Sequence, residues 1–171
     1  MAQQRKKSRR HWDDLTGEHG LGDVGQAFFA CLFGVVWVAD TFFLRYTTFL
    51  NEYIPSFVRI VLGIAFVILS GYLANTGLTI VFGKGQRHTG VIKEGVFNYV
   101  RHPIYLGEIL FYLGLLLLSI SLAAALVWLM TIGFLHYISR HEERLLLARF
   151  GKDYEQYMRA VPMWIPRLKR K

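Results

Sequence analysis

Apolar residues fall in long runs along this chain, with polar residues gathered between them. Gln26 to Leu44 holds a single charge, Asp40, and Pro55 to Ala74 holds only Arg59. A third run extends from Ile104 to Ser139, far beyond the ~20 residues that cross a bilayer once. Ser119-Ile120-Ser121 sits near its middle, so the run predicts two helices in a tight hairpin. The pattern predicts an all-α integral membrane protein with four transmembrane helices and an amphipathic helical tail. The fourth helix continues through His136–Phe150 and stops at Gly151. A short helix from Asp153 to Arg159 follows, then an apolar, proline-bounded segment, Val161 to Pro166. Three parts result: an arm over 1–25, two spans within 26–74, and a loop, hairpin and tail over 75–171.

Composition agrees. With 53% hydrophobic residues and a mean hydropathy of +0.31 over 171 residues, the chain is too apolar for a soluble domain of its size. The net charge of +8 is concentrated at the two ends and in the 75–103 loop. The segment between the first two apolar runs holds only Arg45 as a base. By the positive-inside rule, both termini and the 75–103 loop are expected in the cytoplasm. Basic ends so placed set topology and touch anionic membrane lipid, rather than nucleic acid. The first run begins late and lacks a small-x-small site, so no cleaved signal peptide is expected. Cys31, the single cysteine, lies within the first run and implies no disulfide framework.

Ionisable residues at a membrane boundary are costly, which draws attention to Arg101-His102-Pro103-x-Tyr105. Pro103 suits the first turn of a helix, since the amide hydrogen it lacks would be unpaired there. The cluster reads either as a site for a small polar ligand at a helix N-terminus or as a headgroup anchor. Tyr105, Glu108 and Tyr112 form one polar stripe on the third helix, and His136, Arg140 and Glu143 another on the fourth. A hairpin brings the second stripe and the Arg101–Tyr105 cluster to one side of the membrane. Asp40 and Arg59 lie at similar depth and are expected to form a structural ion pair. His136 and His141 point to different helix faces, and no HExxH pattern occurs, so no metal site is expected.

Three blocks carry a resemblance. Val91-Ile92-Lys93-Glu94-Gly95-Val96-Phe97 leads into the Arg101–Tyr105 motif; Glu142-Glu143 and Phe150-Gly151-x-x-Tyr154-x-x-Tyr157 follow. In order and spacing these resemble the membrane methyltransferases typified by isoprenylcysteine carboxyl methyltransferase and the phospholipid methyltransferases. The resemblance covers about the last 80 residues. It implies S-adenosylmethionine as cofactor, held by the backbone of Thr89, Gly90, Val91 and Ile92, and by Phe97, His102, Pro103, Ile104, Tyr105 and Glu142. Phe97 stands where relatives often have tyrosine. It also implies a lipophilic acceptor, with Arg140, His136 and Glu108 as candidate catalytic residues. One departure matters: Ile138 occupies the position where the carboxyl methyltransferases carry an arginine for the acceptor carboxylate. An amine, a thiol or another lipid becomes the more fitting acceptor. The alternatives are a membrane NADPH-dependent reductase of the steroid or sterol type, whose relatives have similar C-terminal motifs, and a small non-enzymatic scaffold.

Overall fold

The computed structural model describes residues 20–83 and 90–166. The regular structure of the described residues is all helical. Helix α1 spans Gly20–Val38 and passes into a π-helical stretch, Ala39–Leu44; after a short 3-10 turn at Phe49–Glu52 comes α2, Ser56–Phe82. A second 3-10 turn, Gly95–Asn98, precedes α3 (Pro103–Leu118), α4 (Leu122–Phe150) and α5 (Lys152–Ala160). Pro103 opens α3 as expected. Gly151, at φ +55°, ends α4 and lets the chain turn directly into α5.

Among the described residues, three stretches are long and apolar enough to cross a membrane: Gly22–Leu44, Ser56–Phe82 and Leu122–Phe150. The expected fourth span falls short of them, because α3 has only 16 residues. It starts at Pro103 as expected and ends at Leu118, where Ser119 leaves helical geometry at φ −144° and ψ 108°. The residues joining α3 to α4, Ser119 to Ser121, turn the chain back. Trp128 Nε1 on α4 then donates to Ile109 O on α3 at 3.0 Å.

Helix α2 packs on α3 through glycines. A side chain at Gly114 would meet Gly63 O at 2.9 Å and Val67 Cγ2 at 2.8 Å. One at Gly107 would meet Ser70 O at 3.2 Å. Backbones this close gain dispersion contact that lipid cannot supply, which is how helices adhere where water is absent. Helix α1 lies along α4 instead, its Gly22 beside Ile138 and its Gly25 against Phe134. Phe33, Tyr112, Leu116, Ala124 and Val127 join the two pairs in one core. Within it Phe33 and Tyr112 stack at 4.6 Å.

The end of the bundle away from Arg101 is closed by hydrogen bonds, and the expected Asp40–Arg59 pair is absent there. Asp40 is buried and accepts from Thr47 N at 3.1 Å, Ser121 Oγ at 2.6 Å and the Thr47 hydroxyl. Arg59 donates to Asn51 Oδ1 at 2.8 Å and Leu118 O at 2.7 Å. A guanidinium on the last carbonyls of α3 meets the negative end of that helix dipole. Hydroxyls and an amide satisfy Asp40, so neither charge needs the other.

Candidate ligand site

At the opposite end, Arg101 ties four segments together. Its Nε and Nη2 both lie 2.7 Å from Glu143 Oε1 on α4. Its Nη1 donates to Met158 O at 2.8 Å and to Val161 O at 2.6 Å, at the end of α5. The Arg101 and His102 amides donate to Pro162 O and Met163 O at 3.0 and 3.3 Å. The segment after α5 is thereby strapped to the loop that opens α3. Both side chains of the ion pair are buried, 8% and 2% exposed, so each charge depends on the other. The motif arginine is thus a structural clamp in this fold.

The residues named for a cofactor are brought together in large part. His102 Nδ1 lies 3.6 Å from Glu142 Oε2, and Tyr105 donates its hydroxyl to Glu142 Oε1. The rings of His102 and Tyr105 stack at 5.7 Å with an 8° angle between planes. His102 Nε2 is 3.4 Å from Glu143 Oε1. Burial pushes the His102 pKa below the ordinary value of 6.5; Glu143 opposes this and Arg101 adds to it. Phe97 is buried in the 3-10 turn, and its carbonyl accepts from the Tyr157 hydroxyl at 2.7 Å. Val91 packs on the cluster of Tyr154, Tyr157 and Val161, and burial raises both tyrosine pKa values. Gly90 is exposed with open space around it, and Ile92 is half-buried. Pro103 is buried, while Ile104 turns toward Gly77 of α2. Thr89 lies outside the described residues.

The candidate catalytic residues separate. His136 faces Trp164, with ring centroids 5.6 Å apart and edge to face. Arg140 is 59% exposed and reaches Glu143 Oε2 at 3.5 Å. It shares a pocket of about 350 Å³ with Glu143, Arg144, Leu147 and Met158. Glu108 meets neither His136 nor Arg140. It accepts from Tyr112 at 2.9 Å in a groove between α1, α2 and α3. The stripe read on α3 is split in this way: Tyr105 turns to Glu142, and Glu108 and Tyr112 turn to the groove. Ile138 is buried beside Gly22 of α1, so the position of the relatives' arginine is spent on helix packing.

Among the described residues, three buried side-chain atoms have no hydrogen-bond partner, Ser139 Oγ, Glu143 Oε2 and Trp164 Nε1, although Glu143 Oε2 has the Arg140 guanidinium at 3.5 Å. Such groups cost free energy unless something meets them. Ser139 and Glu143 are one turn apart on α4, and Trp164 covers His136 one turn before them. Sequence reading passed over Ser139 and Trp164. Ser139 carried a signal in hindsight, since it shares the helix face of His136 and Glu143. Nothing local marked Trp164, which arrives from the strapped segment.

The matching family model is described as 3-oxo-5-alpha-steroid 4-dehydrogenase and covers residues 23–168. The chain belongs to this family of membrane enzymes. Curated relatives bear out the resemblance to the isoprenylcysteine carboxyl methyltransferases. Protein-S-isoprenylcysteine O-methyltransferase of Schizosaccharomyces pombe is 30% identical over 132 residues, 72% of this chain and 56% of that protein. Protein-S-isoprenylcysteine O-methyltransferase B of Arabidopsis thaliana is 25% identical, over 61% of this chain and 57% of that one. Methanethiol S-methyltransferase 2 of Bradyrhizobium diazoefficiens is 34% identical over 43% of this chain and 27% of its own. The chain spans about half the length of the first of these relatives. No solved structure matches it significantly.

Proposed function

We propose that this chain is an S-adenosylmethionine-dependent methyltransferase acting on a lipophilic acceptor in the membrane. The observation that carries the reading is the convergence of His102, Tyr105 and Glu142 next to a part of α4 and the strapped segment where Ser139 Oγ and Trp164 Nε1 lack a hydrogen-bond partner. The donor and acceptor set fits an amino-acid zwitterion: the Glu142 carboxylate suits an ammonium, and the Ser139 hydroxyl and Trp164 indole N–H suit a carboxylate. The tyrosine and histidine faces suit a sulfonium. His102, Pro103, Ile104, Tyr105 and Glu142, with Phe97 and the backbone of residues 89–92, would hold the cofactor. When bound, it supplies an activated methyl group. The protein's part is then to orient donor and nucleophile in line and to keep water out. Arg140 and His136 would serve the acceptor side of that site.

In this reading α3 completes a four-span bundle as the short arm of a hairpin with α4. Its ends are held by the bonds of Asn51 to Ser119 and Ile120 on one side and by the Arg101 clamp on the other. Both termini and the site face the cytoplasm. Residues 75–171 form the catalytic core, and 26–74 supply the two spans against which it packs.

The description of the matching family model favours a second reading, a reductase using NADPH. The phosphates of such a dinucleotide call for a cluster of basic groups. Arg140 and Arg144 provide one, but two glutamates dominate the inner site. Binding to the detergent-purified protein separates the two. Calorimetry is expected to give saturable binding of S-adenosylmethionine, weakened ~10- to 150-fold by His102→Ala or Glu142→Ala, the equivalent of ~1–3 kcal/mol. Binding of NADPH in its place would defeat the methyltransferase reading.

A further inference from the structure

The groove holding Glu108 is separate from the pocket beside Arg140. It has a volume of about 350 Å³, within the roughly 300–1,000 Å³ of ligand cavities. Phe33 and Gly34 of α1, Ser70 and Ala74 of α2, and Phe111 and Leu115 of α3 form its walls. Phe111 is 40% exposed, so the groove opens on the apolar outer surface of the bundle, where a membrane lipid would enter. Its one acid is Glu108, whose hydrogen bond comes from Tyr112. Among the described residues no Arg, Lys or His lies within ion-pair distance of Glu108. A carboxylate at membrane depth without a cation is costly, and an incoming ammonium would remove that cost. A fatty carboxylate would meet repulsion, and a thiol or alcohol would leave the acid unpaired. Glu108 and Tyr105 are one turn apart along α3, and Ile104 lines the same groove, so one turn of helix is the step by which a head group on Glu108 would reach the His102–Glu142 cluster.

We propose that this groove binds a long-chain primary amine, with the chain between α1, α2 and α3 and the ammonium on Glu108, as the methyl acceptor. The proposal rests on the methyltransferase reading for the transfer itself. The ammonium gives one proton to the Glu108 carboxylate. The freed nitrogen lone pair forms a bond to the methyl carbon, and the carbon–sulfur bond breaks with its electrons staying on sulfur. The products are a methylated ammonium, a neutral thioether and a protonated Glu108 that returns its proton to water.

The test is equilibrium binding of dodecylamine, dodecanol and dodecanoate to the full chain in lipid nanodiscs, corrected against empty discs. Dodecylamine is expected to bind at least about tenfold more tightly than dodecanol, the size of one charge-assisted contact. Glu108→Gln, which keeps a partner for Tyr112, should abolish that preference. A Cβ added at Gly34 meets nothing within 4 Å, and Gly34 lines the groove, so Gly34→Leu should fold, extend into the groove and abolish binding of both the amine and the alcohol. Both variants should bind S-adenosylmethionine within about twofold of wild type, below the ~1.4 kcal/mol of a tenfold change. An amine preference that survives Glu108→Gln, or tighter binding of dodecanoate, overturns the proposal. Loss of the preference in Glu108→Gln, with wild type failing to bind S-adenosylmethionine, would uphold the groove and overturn the methyltransferase reading instead.

Discussion

Replacing Glu143 by methionine removes the counterion of Arg101 while keeping side-chain volume. The guanidinium would retain two carbonyl acceptors, Met158 O and Val161 O, but lose both contacts to Glu143 Oε1. At 8% exposure water cannot replace them. Breaking a buried pair from one side costs ~3–5 kcal/mol, and for a chain of this length ~1 kcal/mol shifts the melting midpoint by roughly 2–4 °C. Glu143→Met is therefore expected to lower the midpoint by roughly 6–20 °C. Arg101→Met should do the same, because it strands Glu143 and releases the segment after α5. The double variant has no buried charge left to strand. Well-packed apolar replacements of an ion pair are often neutral or better, so it should be more stable than either single variant. Thermal unfolding in detergent of all four proteins measures the coupling. Additive losses in the double variant, or single losses under ~1 kcal/mol, would show that the clamp is not what holds the strap to α3.

Three further outcomes are expected. Gly114→Leu should destabilise the bundle by at least ~2 kcal/mol, because the new side chain meets backbone at Gly63 O rather than a movable group; an unchanged unfolding midpoint would contradict the glycine packing of α2 on α3. Since the His102 pKa is lowered on folding, the unfolded state binds the extra proton below about 6.5, so this group removes stability as pH falls through that value and contributes nothing above it. Comparing wild type with His102→Gln at pH ~7.5 and ~5.5 checks the sign: the wild type should lose more, and parallel losses would refute the assignment. Tyr53 and Tyr99 are 78% and 68% exposed, and cysteines placed there in a Cys31→Ser background should label from opposite sides of a sealed vesicle. Labelling of both from one side would sink the four-span arrangement.

The helices were legible in the sequence because their causes are local. Pro103 starts α3 for want of an amide hydrogen, Gly151 stops α4 at a positive φ, and the 56–82 run is helical because backbone in lipid must satisfy itself. The recurrence of Arg101-His102-Pro103-x-Tyr105 with Glu142 likewise survives without coordinates, since motif spacing is a property of the chain. Partner choice was decided only by tertiary structure. Two glutamates adjacent in sequence took different roles, Glu143 neutralising Arg101 while Glu142 met His102 and Tyr105, because consecutive helical positions face directions about a quarter-turn apart. Asp40 and Arg59 matched in depth but found hydroxyl, amide and carbonyl partners first. Glu108 left the stripe of Tyr105 because α1 and α2 leave a groove on that side of α3. Which charges meet depends on helix rotation and on chain returning from 60 residues away, and neither is written in local spacing.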